Sequence, residues 1–351
     1  MSSASDALNK SRLIALPFER GCVDTKPAHR VLVMAAPGDL RFPAEFQDGL
    51  TIIQGFRPDF LALQKRGLNV VCSLDQIEGT AAFDIVIVCL SRHRRLNETM
   101  LAKAAKVCVD HGAIIAAGSK TDGAGAIRKA LSRLTGDLQS MPKHHGLVMW
   151  LTVDEAVRTA WDDAFGDRDS VSASGFVTAP GGFSADRIDV GSALLAEHLP
   201  ADLSGACADF CAGWGYLSIA ASERCPALTS LDLFEADWAS LKAAETNLSG
   251  IAMPRAFHWR DLSSEPVEGR FDVIVMNPPF HTGRAAEPSL GEAIIERAST
   301  CLKPGGRLFL VANRQLPYEA VLNSRFRNVR FMAETSIYKV IEAARPAASP
   351  Q

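Results

Sequence analysis

The chain has 351 residues and no apolar run approaching the roughly 20 needed for a membrane span, which argues against a helical membrane protein. Its first residues, Met1 to Lys10, are polar and lack the apolar core of a secretory signal. The eight cysteines contain no Cys-x-x-Cys pair and no histidine partner at zinc spacing, so neither a metal centre nor a disulfide framework is expected. Cys207 and Cys211 stand four apart, but Cys211 falls in a glycine-containing loop with another use. All eight are read as reduced and mostly buried, and the chain as cytoplasmic. A large charge of one sign is missing too. The net charge of −3 by itself argues against a polyanionic partner.

The distribution of charge says something different. Residues 1–150 carry 19 Lys+Arg against 14 Asp+Glu, and residues 151–351 carry 18 against 26. A basic half and an acidic half suggest that one holds a polyanion while the other does separate work. The length suits two domains of ordinary size.

Strand and helix signals alternate through the second half as in a doubly wound α/β sheet. Strands are expected at Ala206–Phe210, Leu228–Glu235, Phe257–Asp261, Phe271–Met276 and Arg307–Ala312. Helices are expected after Gly215, from Ala236 to Leu248 and from Leu290 to Leu302. A hairpin around Glu334-Thr335-Ser336 closes the sheet. The first half carries a fainter copy. Phe83-Asp84-Ile85-Val86-Ile87-Val88 parallels Phe271-Asp272-Val273-Ile274-Val275-Met276, and Cys108 to Gly112 parallels Cys301 to Gly305. This echo predicts two tandem Rossmann-like α/β domains, over residues 1–165 and 175–345, with a boundary in the stretch 155–185.

The copies differ where chemistry would sit. After its strand the second half has Asn277-Pro278-Pro279-Phe280, and the first has Cys89-Leu90-Ser91-Arg92. An amine on a flat conjugated ring is a poor nucleophile, because its lone pair is delocalised. The Asn277 side-chain oxygen and the Pro278 carbonyl can accept both N–H bonds and draw the nitrogen toward tetrahedral geometry. The prolines stiffen the turn and remove backbone donors. Phe280 offers a face on which a base can stack. His281 is a candidate to take the proton released afterwards.

A donor site is expected one strand away. Asp209-Phe210-Cys211-Ala212-Gly213-Trp214-Gly215 follows a strand and opens a helix, where Gly213 and Gly215 let backbone approach a ligand. Glu235, ending the next strand, is placed for two ribose hydroxyls, with Asp237 as the nearby competitor. Asp261 is placed for an adenine amine. A nicotinamide fingerprint would have a third glycine where Ser218 stands, and would have no use for Asn-Pro-Pro-Phe. Together Asp209, Gly213, Gly215, Glu235, Asp261 and Asn277 point to S-adenosylmethionine.

On these residues the second half resembles a class I S-adenosylmethionine-dependent methyltransferase. The whole chain resembles the bacterial 16S ribosomal RNA guanine-N2 methyltransferases. The wider resemblance rests on Gly118 to Gly123, Lys143-His144-His145-Gly146, Gly182-Phe183-Ser184 with Ile188 to Ser192, Asn277 to His281, and Tyr338-Lys339-Val340. It implies a degenerate first domain that docks RNA and a catalytic second domain. It also implies that Phe183 lies beside the cofactor and that the partner is ribosomal RNA or the small subunit. The sequence itself is silent on oligomeric state; a monomer is expected because two domains facing each other could be self-sufficient. One departure stands out. Families of this type begin the loop with a glycine where this chain has Cys211, and cysteine is strained if that position needs positive φ. Three rival readings share parts of the pattern: an adenine-N6 methyltransferase, a protein-glutamine N5 methyltransferase, and a non-catalytic RNA-binding protein with a decayed cofactor site.

Overall fold

Val31–Met34, Phe83–Cys89 and Phe271–Met276 are buried along almost their whole length, as strands covered by helices on both faces must be. Around them the computed structural model describes residues 3–346, apart from 27, 44–45, 47–48, 78–81, 167–169, 280, 283–284 and 287. The chain divides into two compact units, Met1–Asp169 and Ser170–Gln351.

The first unit runs α1 (Ser3–Glu19), β1 (Val31–Met34), β2 (Leu50–Ile53), α2 (Arg57–Lys65), β3 (Val70–Val71), β4 (Phe83–Cys89) and α3 (Arg94–Val107). It continues through β5 (Cys108–Ser119), α4 (Ala124–Leu134), β6 (Gln139–Lys143), β7 (Gly146–Thr152) and α5 (Glu155–Phe165). The second begins with the short pair β8 (Ser170–Val171) and β9 (Val177–Thr178), then α6 (Val190–His198), β10 (Ser204–Phe210), α7 (Tyr216–Arg224), β11 (Ala227–Glu235) and α8 (Trp238–Asn247). There follow β12 (Arg255–Trp259), β13 (Phe271–Met276), β14 (His281–Thr282), β15 (Ala285–Ala286) and α9 (Pro288–Cys301). The unit closes with β16 (Leu302–Asn313), α10 (Glu319–Arg325), β17 (Phe326–Glu334) and β18 (Tyr338–Pro346).

Each unit contains one seven-stranded sheet, with the orders β3-β2-β1-β4-β5-β7-β6 and β12-β11-β10-β13-β16-β18-β17. These are the same topology: five parallel strands and an antiparallel hairpin at one edge. Alternate residues feed two cores, one per face. In the first sheet Leu32, Met34, Val86 and Val88 face one core, while Val31, Val33, Ile85 and Ile87 face the other. In the second, Ala208, Phe210, Ile274 and Met276 oppose Cys207, Val273 and Val275.

The echo extends to single bonds. Asp84 Oδ2 accepts from Arg30 N at 2.7 Å, and Asp272 Oδ2 accepts from Ala206 N at 2.8 Å, so each Phe-Asp pair ties its strand to the neighbouring one. Both β4–β5 and β13–β16 slip register just after the phenylalanine. Pairing Ile85 with Ala113 and Val273 with Arg307 makes Gly112 the counterpart of Gly306, which corrects the expected match to Gly305 by one residue.

Two other expectations shift. The third strand of the second half is Arg255–Trp259, ending two residues before Asp261. The stretch 155–185, expected as a boundary, begins with α5, where Asp154 accepts from Val157 N at 2.8 Å as the N-cap and Val157 and Trp161 supply a buried face. All eight cysteines are free; six are buried, Cys211 is half-buried and Cys22 is exposed. Among the described residues no cluster could hold a metal, and no helix is long and apolar enough to cross a membrane.

Candidate active site

At the carboxyl edge of the second sheet, β10 ends and the chain turns through residues 211–215 into α7. Three of those five residues take positive φ: Cys211 (+63°), Gly213 (+55°) and Gly215 (+91°). At Gly215 a Cβ would lie 2.5 Å from Leu248 Cδ1, so close packing and backbone conformation both require glycine. At Gly213 an added Cβ would meet nothing within 4 Å; this part of the loop opens onto free space.

The loop is held from two sides. Gly213 N donates to Glu235 Oε2 at 2.7 Å, while Ala236 N and Asp237 N donate to Oε1 at 2.8 and 2.9 Å. Asn247 on α8 donates from Nδ2 to the Trp214 and Val177 carbonyls, at 2.9 and 2.8 Å. Burial pushes the Glu235 carboxyl up to about 7, against the three backbone donors that favour its ionised form. Asp237 caps α8 by accepting from Ser240 N at 3.3 Å, so of the two acids only Glu235 braces the loop.

Asn277 stands at the end of β13, beside β10 in the register Phe210–Met276. Its Nδ2 donates to Asp189 Oδ2 at 3.0 Å and to Ser192 Oγ at 2.9 Å. Asp189 is also the N-cap of α6, accepting from Ser192 N at 2.8 Å. The amide is therefore latched by its nitrogen, and the carbonyl oxygen Oδ1 is turned to the other side. That orientation is the one needed to accept an N–H from an amine. Pro278 is buried behind it. A shallow cleft is lined by Phe183, Asp189, Ser192, Cys211, Gly213 and Asn277 among others.

The remaining predicted residues are placed as follows. Phe183 lines the cleft and is 53% exposed. Asp209 lies under the loop, 1% exposed, with Oδ2 accepting from Ser218 Oγ at 2.8 Å; its Oδ1 has no partner among the described residues. Burial pushes this carboxyl up to about 7 as well; its bond ties the end of β10 to α7, and it is not part of the cleft lining. Asp261 closes the turn after β12. Its Oδ1 accepts from Ser263 N and Oγ at 2.9 and 2.6 Å, and Oδ2 from Ser264 Oγ at 2.6 Å. Phe280 lies outside the described residues, and so does the side chain of His281. Cys211 lines the cleft and packs against the core beside Phe210 and Met276; burial and the neighbouring Glu235 and Asp209 push its thiol well above the usual range, so it is no thiolate nucleophile.

Sequence reasoning missed the latch. Asp189 followed three residues later by Ser192 reads only as a helix start; nothing in the spacing shows that both meet Asn277 some 85 residues on.

The first unit has lost the corresponding parts. Gln54 occupies the place of Glu235, buried and bonded through Nε2 to Ala36 O at 2.7 Å and through Oε1 to Phe56 N at 2.8 Å. Cys89 occupies the place of Asn277, and the described residues between β1 and β2 form no α-helix.

Comparison with known proteins agrees with this geometry. Residues 173–342 match the model of the methyltransferase small domain. The chain is 29% identical over 270 residues to a ribosomal RNA small subunit methyltransferase C of Shewanella loihica, covering 76% of this chain and 78% of that protein. It is 35% identical over 181 residues to one from Escherichia coli, about half of each chain. Among solved structures, a Thermus thermophilus 16S rRNA N2 G1207 methyltransferase in complex with AdoMet and guanosine superposes with a TM-score of 0.78 at 25% identity, covering 96% of this chain and 91% of that one. With the tandem sheets, the loop at residues 211–215 and the latched Asn277 all in place, residues 173–342 form a methyltransferase small domain, and the chain along most of its length is similar to the ribosomal RNA small subunit methyltransferases C.

Proposed function

We propose that this protein transfers a methyl group from S-adenosylmethionine to the exocyclic N2 amine of a guanine in the 16S RNA of the small ribosomal subunit. It works in the cytoplasm as a monomer, with the second unit carrying the chemistry and the first serving the RNA side. The observation that carries the reading is the amide of Asn277, fixed by its nitrogen to Asp189 and Ser192 beside the loop at residues 211–215.

The residues present fit the cofactor. Gly213 opens onto free space, Glu235 ends β11 under the loop, and Phe183 presents a half-exposed ring to the cleft. When bound, S-adenosylmethionine supplies an electrophilic methyl group on a sulfonium. Glu235 would hold the ribose hydroxyls, and Phe183 would cover the bound molecule. Asn277 Oδ1 and the Pro278 carbonyl accept the two N–H bonds of the guanine amine and turn its lone pair toward the donor. Phe280 would stack the base. The donor is already activated, so the protein's contribution is positioning, which is worth up to about 7–11 kcal/mol in favourable cases. The amine becomes acidic only once methylated, so its proton leaves without a strong base.

The test is transfer of labelled methyl from S-adenosylmethionine to unmodified small subunits, large subunits and total cell protein, followed by nucleoside digestion. Label is expected in small-subunit RNA as N2-methylguanosine, and lost in Asn277→Ala. Label as N6-methyladenosine or in protein would keep the transfer and overturn the substrate.

A further inference from the structure

The carboxyl edge of the first sheet has lost the cofactor-binding parts, yet three of its segments remain tightly organised. After β4, the chain runs Ser91-Arg92-His93-Arg94-Arg95 into α3. After β5 it runs Ser119-Lys120-Thr121-Asp122. The β6–β7 hairpin turns at Lys143-His144-His145-Gly146, and Gly146 pairs with Ser119, so this turn reaches the same edge. Asn97, fully buried on α3, staples the first two segments. Its Oδ1 accepts from Ser91 N at 2.8 Å, and its Nδ2 donates to the Ser91 and Asp122 carbonyls at 2.7 and 3.2 Å.

What this framework presents to solvent is positive. Arg92, Arg94, Arg95, Lys120, Lys143 and His145 are exposed there. The nearby Asp122 is buried and already engaged, with the Ser119 amide at 2.9 Å and with Lys10 at 3.2 Å. Glu98 pairs with Arg94 at 2.7 Å. Among the described residues no carboxylate pairs with Arg95, Lys120 or Lys143. The edge keeps a cationic surplus on a rigid base.

The hairpin supplies an independent observation. Its two turn residues are His144 (φ +48°) and His145 (φ +58°), the left-handed pair that such turns normally fill with Asn-Gly. A non-glycine residue there costs on the order of 1–2 kcal/mol, and strain of this kind gathers at functional sites. Fold stability favours Asn or Gly at the first position and Gly at the second, so two rings on this tip point to a contact outside the chain.

We propose that this edge, built by the Ser91–Arg95 segment, the Lys120 turn and the Lys143–His145 hairpin, is a docking surface for the phosphate backbone of the RNA substrate. The proposal rests on the functional reading above and specifies where the first unit grips. Arginine and lysine neutralise phosphates, and an imidazole at a strained tip can stack on an unpaired base or donate to a phosphate oxygen.

The full chain carrying Arg95→Glu, Lys120→Glu and Lys143→Glu is compared with the native protein. Fluorescence anisotropy with a naked 16S RNA fragment reads binding, without reference to methyl transfer, across a KCl series. The substituted protein should bind at least about tenfold more weakly, and its dependence of log K on log [KCl] should flatten by roughly 0.7–0.9 for each phosphate that is no longer neutralised. Its melting profile and its affinity for S-adenosylmethionine should stay as in the native protein. Lys129→Ala with Arg133→Ala, exposed further along α4, should change neither affinity nor slope. Unchanged RNA affinity and slope in the triple variant would overturn the proposal, as would weakened binding to intact subunits but not to naked RNA, which would mark a protein contact. Native-like RNA binding lost in the variant, without methylation of any RNA, would overturn the catalytic reading and leave the docking surface standing.

Discussion

Cys211 holds its backbone at φ +63° at the start of the loop at residues 211–215, a conformation that disfavours any residue with a Cβ. The counterpart in the first unit, Ala35, does the same at +57°, so the turn is imposed by the fold and not by a glycine. Replacing cysteine removes a penalty of about 1–2 kcal/mol, against about 0.5–1 kcal/mol of extra chain entropy for glycine. Cys211→Gly should therefore raise the melting temperature of the second unit slightly, by a net gain on the order of 0.5–1 kcal/mol. Thermal denaturation checks it, and a lowered melting temperature would show that the thiol's packing outweighs the backbone strain. The latch makes a sharper prediction. Ser192→Ala leaves the Asn277 amide one anchor where it had two. A hydrogen bond is worth about 1 kcal/mol, so kcat should fall about fivefold while the KM for S-adenosylmethionine stays within about twofold. Ser192→Thr keeps the hydroxyl and should restore kcat. Equal loss of kcat in both variants would mean that packing around α6, and not amide orientation, is what Ser192 provides.

Loop and strand ends together set a pH dependence. Glu235 accepts from the loop at residues 211–215, Asp209 lies on the strand just before it, and burial raises both carboxyls to about 7. The folded form then keeps protons that the unfolded chain releases from about pH 4 upward, so these groups make the cofactor-free protein less stable as pH rises through 7. Holding ribose hydroxyls requires the ionised Glu235, so cofactor affinity should increase with pH and level off above about 7. Thermal stabilisation by S-adenosylmethionine should thus be larger at about pH 8 than at about pH 6, and Glu235→Gln should remove most of that difference. A pH-independent shift in the native protein would exclude Glu235 as the group that binds. At this scale the sequence was most readable. Strands such as Phe271–Met276 announce themselves by continuous apolar residues, and Gly213 and Gly215 by the turn they permit. The two-residue strands β8 and β9 carry no such pattern, because pairing across a few residues needs no periodicity. Asp261 shows the limit for single side chains. The sequence reads it as the last residue of a strand, but it lies two residues beyond, and the hydroxyls of Ser263 and Ser264 that engage both its oxygens follow from the local turn.

The whole chain repeats one topology twice, and the copies differ in what fills the carboxyl edge of each sheet. In the second unit that edge has positive-φ glycines, an acidic strand end and an amide oxygen with no partner among the described residues. In the first, the Gln54 side chain bonds across to Ala36 O, and Asp122 is joined to Lys10, itself buried on α1. The Gln54 amide satisfies its own neighbours, so the end of β2 offers no carboxylate for a pair of ribose hydroxyls. The absence of a helix among the described residues between β1 and β2 also removes the N-terminal amides that would face a bound nucleoside. Calorimetric titration should therefore give one S-adenosylmethionine per chain. Gln54→Glu should leave that number at one, because a carboxylate cannot rebuild the missing helix or glycines. Glu235→Gln should weaken the single binding event by about tenfold or more without exposing a second, since a charged hydrogen bond contributes about 1.5–3 kcal/mol. A stoichiometry of two in the native chain would mean that the first sheet kept its nucleoside site despite losing its chemistry, and would place cofactor and RNA in competition for the same edge.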